Sequence, residues 1–168
     1  MAKSESKCRC CYVETMCGRS LRDGVVFVGV ISLCTSLIIL LSSTTCVIVI
    51  ANTQELFNNR PMIAMNLIFS LVASCISSYQ ILISALLLWQ ALGKTNRYLC
   101  SLWYISHISI LVIYFILFGS RGYVCITQNH NLMAFITISI GILYEGVFIY
   151  FAVVVNSYMH SINGVRYL

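Results

Sequence analysis

Four cysteines lie close together near the start of the chain, just before its first apolar stretch: Cys8, Cys10, Cys11 and Cys17. Arginines lie among and just after them. Thiols beside cations at the foot of an apolar helix are typical of S-acylation, because a palmitoyl chain attached there enters the bilayer while the cations meet anionic lipid. A zinc site is an alternative, although Cys-x-Cys-Cys lacks the paired Cys-x-x-Cys spacing of structural zinc sites. Unmodified thiols flanking a helix are the third interpretation.

Three polar residues, Gln80, His107 and Glu145, lie inside long apolar runs, and Glu145 is the one formal charge within any of them. A carboxylate near the bilayer centre costs at least a few kcal/mol unless it is protonated or paired. At about 1.5 Å of rise per residue, Glu145 and His107 lie at nearly equal depth, roughly 15 and 14 Å, and Gln80 lies slightly farther out. We therefore expect one buried hydrogen-bonded cluster. It serves either to sense protons or cations or, as we favour, to tie helices together.

Small residues recur at four-residue spacing in two of the apolar runs. Ser70, Ser74 and Ser78 form one series, with Ala73 and Ser77 beside it, and Thr137, Gly141 and Glu145 form the other. Small side chains at this interval let helix backbones approach closely in a membrane. Both series are therefore predicted helix-packing faces, toward the same chain or toward another copy.

The elements that must position these residues are long apolar helices. The chain has 168 residues, of which 60% are hydrophobic and 9% charged, with a mean hydropathy of +0.91. Four runs, 24–51, 62–93, 98–119 and 132–155, lack Lys, Arg and Asp, and each is long enough to cross a hydrocarbon core of about 30 Å as a helix. The sequence predicts an all-α, polytopic membrane protein with a tail at 1–23, a four-helix domain at 24–159 and a short tail at 160–168.

The orientation follows from the cations near the helix ends. Eight lie in the two tails and the second loop, against Arg60 and Arg121 in the first and third loops. Cytoplasmic segments retain Lys and Arg, so both termini are predicted to be cytosolic. On that side structural disulfides are disfavoured, and Cys100 is a second candidate for acylation. Cys125 lies in a predicted outer loop, and a disulfide from it would have to reach Cys46. The simplest expectation for Cys34, Cys46 and Cys75 is that they pack inside helices as small apolar residues.

The motif content does not point to catalysis. The sequence contains no phosphate-binding glycine loop, HExxH, G-x-S-x-G or Asn-x-Ser/Thr acceptor. We therefore expect a protein that is not an enzyme and that has no cofactor and no catalytic or metal site. Its expected partners are the lipid bilayer and other membrane proteins or further copies of itself, and not nucleic acid, because a basic tail near a membrane favours anionic lipid.

Two short stretches carry a resemblance to a known family. Cys10-Cys11, then Cys17-Gly-Arg-Ser-Leu-Arg-Asp-Gly24, then Gly29 resembles the opening of the lysosome-associated four-helix transmembrane proteins and of the related insect group that includes the Pasiflora septate-junction proteins. The stretch Val153-Val-Val-Asn-Ser-Tyr158 is similar to the end of their last helix. Asp23 replaces the usual threonine, and the single proline leaves no Pro-Pro-x-Tyr or Leu-Pro-x-Tyr motif for ubiquitin-ligase recruitment. The resemblance to the insect branch implies a role in epithelial barrier junctions.

These features predict a non-enzymatic protein that organises a membrane complex by lateral association. The expected membrane is the plasma membrane at a cell junction, or an endosomal or lysosomal membrane. The alternative is a small transporter, regulator or pH-responsive subunit that uses His107 and Glu145.

Overall fold

The computed structural model describes residues 20–52, 61–93 and 97–164, and all regular structure in this part of the chain is α-helical. The helices are α1 (Leu21–Asn52), α2 (Pro61–Leu92), α3 (Arg97–Thr127) and α4 (Asn131–Gly164). All four are long and apolar enough to cross a membrane. The prediction of an all-α chain with four such helices is confirmed, and it suggests a multi-pass integral membrane protein.

Local sequence explains several of the helix ends. Ser20 precedes α1, where its hydroxyl accepts a hydrogen bond from the backbone N–H of Asp23 and donates one to the Asp23 carboxylate. This arrangement satisfies a free N–H of the first turn and places an acid at the positive end of the helix dipole. Pro61 is the first residue of α2, a position at which the missing N–H costs nothing.

The connection between α3 and α4 is much shorter than the loop that the sequence predicts over 120–131. Helix α3 continues to Thr127, and only Gln128, Asn129 and His130 separate it from α4. The N–H of His130 donates to Cys125 O and that of Asn129 to Ile126 O, with Asn129 at a φ of 59°. This is the Schellman arrangement, in which a residue in the left-handed region closes the helix and satisfies its last carbonyls.

The helices run alternately up and down, and the closest pairs are α1 with α2 and α3 with α4. At one end of the bundle, Arg22 at the start of α1 donates to the carbonyl oxygens of Ala91 and Leu92 at the end of α2. At the other end, Met62 of α2 contacts Cys125 of α3. We call the end that holds Arg22 and Ala91 the tail end, and the end that holds Met62 and Cys125 the loop end.

Small residues bring the paired helices together. The buried face of α1 includes Gly29, Ser32 and Ser36, and a Cβ on Gly29 would lie 2.7 Å from Cγ of Leu88 on α2. A Cβ on Gly141 of α4 would similarly lie 2.9 Å from Cγ of Phe118 on α3. The outward faces carry large exposed apolar side chains, a pattern that suits lipid as the surrounding solvent; the most exposed include Trp89, Tyr98, Leu132, Phe115 and Phe135.

Candidate membrane-embedded polar site

Gln80 of α2 is fully buried and joins α2 to α1. Its amide Nε2 donates to Ser32 Oγ at 3.2 Å, and Ser84, one turn further along α2, donates to the same oxygen at 3.0 Å. Ser36 donates to the backbone carbonyl of Ser32 at 2.7 Å. The side chains of Gln80, Ser84 and Ser36 therefore each make at least one hydrogen bond inside the bundle, where an unpaired polar group is costly.

A second set of hydroxyl contacts joins α2 to α3. Ser77 and the Tyr114 hydroxyl lie 3.4 Å apart in the buried interior, and Tyr79 and Ser106 form a shorter, partly buried hydrogen bond of 2.7 Å. These pairs and the contacts of Ser32 and Ser84 were not predicted from the sequence. The available signal was the spacing of Ser70, Ala73, Ser77, Gln80 and Ser84, which marks the buried face of α2.

His107 of α3 is fully buried in an aromatic environment rather than in a polar one. Its ring stacks on Trp103, with centroids 4.4 Å apart and an interplanar angle of 10°, and lies 5.2 Å from the Phe148 ring of α4. Neither ring nitrogen has a hydrogen-bond partner. Phe148 in turn contacts Tyr144 at 4.4 Å, so an aromatic series crosses the α3 and α4 interface.

Glu145 lies at the edge of the bundle, half-buried, between the inward-facing Tyr144 and the exposed Gly146. Its Oε1 atom is enclosed and has no hydrogen-bond partner. Gly146 opens onto free space, since a Cβ there would meet no atom within 4 Å. A carboxyl group is thus held at the surface of an apolar bundle without a partner for Oε1.

The expected hydrogen-bonded cluster of Gln80, His107 and Glu145 is not formed by direct contacts. Gln80 bonds to Ser32, while the nitrogens of His107 and the Oε1 atom of Glu145 are unpaired. Equal depth was the basis of that expectation, but depth says nothing about direction around a helix. At about 100° per residue, Glu145 points away from the direction in which its neighbour Tyr144 reaches the interior.

The two predicted packing series have different placements. In α2, Ser70 is buried, Ser74 is half-buried with its hydroxyl unpaired, and Ser78 is exposed. The interior face of α2 therefore lies to one side of that series. In α4, Thr137 and Gly141 are both buried, and Gly141 packs against Phe118 of α3.

Cys8, Cys10, Cys11 and Cys17 lie outside the described residues. Cys100 is fully buried beside Gln90, whose Nε2 donates to its sulfur at 2.9 Å. Its assignment as an acylation candidate is therefore wrong for this structure, because an acyltransferase needs an accessible thiol.

Among the other described cysteines, no bridge joins Cys125 to Cys46, and the placement of Cys34 and Cys75 differs from expectation. Cys46 and Cys125 are both free thiols, and Cys125 contacts Met62 instead. Cys34 and Cys75 are exposed on the outer faces and do not pack inside the chain as expected.

A groove of about 390 Å³ lies on the outer surface between α2 and α3. The Tyr79 and Ser106 pair and Cys75 and Ser109 line it together with apolar side chains. In the part of the chain that the structure describes, no group of three or more His, Cys, Asp or Glu side chains is placed to hold a metal ion.

Comparisons with protein-family models, with curated proteins and with solved structures find no match for this chain. The resemblance of its two end segments to the lysosome-associated and septate-junction proteins therefore stays a prediction from the residues.

Proposed function

We propose that the chain is a non-enzymatic, multi-pass membrane protein that organises a membrane complex by associating laterally with other membrane proteins or with its own copies. In this proposal the bundle crosses the bilayer four times and both termini are cytosolic. The observation that carries the proposal is Glu145, a half-buried carboxyl side chain at the edge of the bundle whose enclosed Oε1 has no partner among the described residues of its own chain, so that a neighbouring helix would meet the group through its other oxygen.

Glu145 differs from the other polar side chains of the four helix interiors because it can carry a negative charge. Ser84 and Tyr79 have hydrogen-bond partners within the chain, and Gln80 has one through Nε2, although its Oε1 has none. A carboxyl group in hydrocarbon is costly unless it is protonated and hydrogen-bonded or is paired with a cation. A neighbouring transmembrane helix that offers a hydrogen-bond partner to Glu145 removes that cost.

The surface beside Glu145 permits such an approach. Gly146 presents no side chain and has open space around its Cα, so a second helix can come close to the α4 backbone at this level. Close approach strengthens van der Waals packing and shortens hydrogen bonds, which are the main sources of helix association in lipid. We propose the α4 surface around Glu145 and Gly146 as the lateral contact.

The compartment in this proposal comes from the resemblance alone. A cell junction in the plasma membrane is the first choice, and an endosomal or lysosomal trafficking complex is the second. Imaging the tagged chain in a polarised epithelium separates the two, because one predicts signal at lateral contacts and the other signal in internal vesicles.

Substitution of Glu145 tests the lateral contact. Glu145→Leu removes the hydrogen-bonding group, whereas Glu145→Gln keeps a neutral donor and acceptor of similar shape. We expect Glu145→Leu to weaken association about fivefold, corresponding to a hydrogen bond of about 1 kcal/mol, and Glu145→Gln to retain it. The measurement is energy transfer or chemical crosslinking between chains, and between the chain and its co-purifying membrane proteins, at fixed density in the membrane.

Two glycines supply a matched pair for the same assay. Gly146→Leu fills the space beside Glu145, and Gly119→Leu fills an equally open position on α3, since neither Cβ meets an atom within 4 Å. Only the first is expected to reduce association. If the native protein co-purifies with no other membrane protein or copy, and the epithelial barrier is unchanged on its loss, the proposal is wrong.

A second candidate function is a small transporter, regulator or pH-responsive subunit built on His107 and Glu145. The observation that favours it is the buried His107 ring, both of whose nitrogens lack partners. Glu145→Gln separates the two functions, because a proton-coupled protein loses its pH dependence on this substitution whereas an organiser keeps its assembly.

A further inference from the structure

Two arginine side chains are placed in the described part of the chain, and their surroundings differ. Arg22, at the tail end, donates two hydrogen bonds to carbonyl oxygens of α2. Arg121, near the loop end of α3, lies with its guanidinium carbon 5.0 Å from the centroid of the Phe69 ring on α2. Its Nε atom is buried and has no hydrogen-bond partner.

The positive charge of Arg121 has no carboxylate nearby among the described residues. The acids described are Asp23, which lies at the tail end, and Glu145. Arg121 lies six residues before the end of α3 and Glu145 lies fourteen residues after the start of α4, so Glu145 is about 12 Å deeper by helix rise. The face of an aromatic ring attracts a cation but accepts only a weak hydrogen bond, so the terminal Nη donors, and not the enclosed Nε, remain available to an anion.

The depth of Arg121 indicates which anion it meets. Helix α3 has 31 residues, or about 46 Å of length against a hydrocarbon core of about 30 Å, which leaves roughly 8 Å beyond the core at each end of a centred helix. Arg121 lies about 9 Å from the end of α3 and is therefore at the boundary between hydrocarbon and headgroups. Tyr123, two residues further along, is 69% exposed, as an interfacial tyrosine would be.

The Phe69 ring beside Arg121 is held in place by packing that involves two other helices. Phe69 packs edge to face against Phe118, with ring centroids 5.5 Å apart, and Phe118 packs against Gly141 on α4. Three helices thus fix the ring on which the guanidinium rests. Because the guanidinium is held beside this ring before a ligand arrives, less side-chain freedom is lost when an anion binds.

We propose that Arg121, positioned on Phe69, binds a phosphate group at the loop end of the bundle, and that the phosphate is that of a phospholipid headgroup in the adjacent leaflet. Arginine suits this role because its planar donors match two phosphate oxygens. The proposal rests on the bundle crossing a membrane, but not on lateral association through Glu145.

The test measures lipid retained by the full-length chain. The protein is reconstituted into vesicles containing equal amounts of phosphatidylcholine and an uncharged glycolipid with the same acyl chains, extracted in mild detergent, and analysed for bound lipid by mass spectrometry. Wild-type protein is expected to retain phosphatidylcholine in preference to the glycolipid. Arg121→Gln is expected to reduce that preference roughly tenfold, the loss of about one charge-assisted hydrogen bond.

Three further variants separate a phosphate site from general effects of charge or folding. Arg121→Lys keeps the charge without the planar donors and should give an intermediate preference. Phe69→Leu keeps the arginine but removes the aromatic ring beside it and should lower the preference. Arg22→Gln, which alters an arginine already engaged with carbonyl oxygens, should leave it unchanged. Gel filtration and circular dichroism identify variants that fail to fold; if Arg121→Gln is one of them, Arg121→Lys and Phe69→Leu decide the test.

Each outcome has a definite meaning. Equal preference in wild type and Arg121→Gln, or an equal loss in Arg22→Gln, overturns the proposal. A third outcome is that the wild type shows no preference for phosphatidylcholine but binds inorganic phosphate in lipid-free micelles, and that Arg121→Gln does not bind it. In that case Arg121 does bind phosphate, but the ligand is the free anion and the phospholipid assignment is wrong. Glu145→Leu should leave lipid retention unchanged, so failure of lateral association and failure of this site are distinguishable.

Discussion

Gln80 on α2 and Glu145 on α4 are long polar side chains in an apolar bundle, and their surroundings differ. Gln80 is fully buried and donates to Ser32, with its Oε1 unpaired, whereas Glu145 is half-buried at the edge and its Oε1 is unpaired. The difference comes from direction around the helix, since both residues lie well inside their helices. At the residue scale, a polar group is a candidate for contact with another chain where it has no partner in its own chain and also lies at the edge of the bundle.

Gly141 shows how a single missing side chain sets the distance between two helices. A Cβ there would lie 2.9 Å from Cγ and 3.0 Å from Cβ of Phe118, and the second atom is close to the backbone and cannot move easily. We expect Gly141→Ala to lower the free energy of unfolding by about 1 to 3 kcal/mol through overpacking. Detergent-induced or thermal unfolding of the purified protein in micelles measures this change.

Gly119→Ala is the matched control for Gly141→Ala, because a Cβ at Gly119 meets nothing within 4 Å. It should be neutral or slightly stabilising, since alanine is the better helix former. Equal destabilisation by both substitutions would show that helix propensity, and not the contact with Phe118, controls the result.

At the scale of the elements, all four helix starts were predicted to within three residues, because long runs without Lys, Arg or Asp leave little choice of structure. The ends of α3 and α4 were placed too early. Arg121, Gln128 and Asn129 were taken as one polar loop, but a helix satisfies its own backbone wherever its side chains lie. Only the last three residues before α4 leave the helix, and Asn129 is the residue that allows the turn.

Which face of each helix is buried was harder to predict than where the helices lie in the sequence. The spacing of Ser70, Ser74 and Ser78 indicated close packing, yet the buried face of α2 follows Ser70, Ala73 and Ser77. With small residues on several faces, spacing alone does not say which face meets α1. The hydrogen bonds of Gln80 and Ser84 to Ser32 determine which face of α2 meets α1. They depend on the position of a second helix, about which the periodicity of one helix gives no information.

Asn129 provides a test of the connection between α3 and α4. Its φ of 59° is favourable for glycine, tolerated by asparagine and strained for a β-branched residue. Asn129→Gly should preserve stability, whereas Asn129→Val should lower the free energy of unfolding by about 1 to 2 kcal/mol. Gln128→Val is the control in the same turn, and a loss as large as that of Asn129→Val would contradict the explanation from backbone strain. Thermal unfolding in micelles measures all three variants.

At the scale of the whole molecule, the bundle combines an outer apolar surface with a tail end and a loop end of unequal charge. The sequence has eight Lys and Arg residues in or beside the tails and the second loop, against Arg60 in the first loop and Arg121 near the loop end of α3. Four crossings in alternating directions return the chain to the side on which it began. In the proposed arrangement the even helix count places both termini on one side, and the charge distribution predicts that this side is cytosolic.

The orientation is tested by accessibility on both sides of the membrane in intact cells. Epitope tags before Met1 and after Leu168 should react with antibody only after the plasma membrane is permeabilised. The His130→Cys variant should instead react with an impermeant maleimide in intact cells, because His130 is exposed in the connection at the loop end. Wild-type protein controls for labelling of its native thiols, and the same labelling in isolated vesicles covers protein held in internal membranes. If the two tags react on opposite sides, the four-crossing arrangement fails. If both tags and not His130→Cys react in intact cells, the bundle is inverted, and the basic tail end then meets the outer leaflet, where anionic lipid gives it no electrostatic advantage.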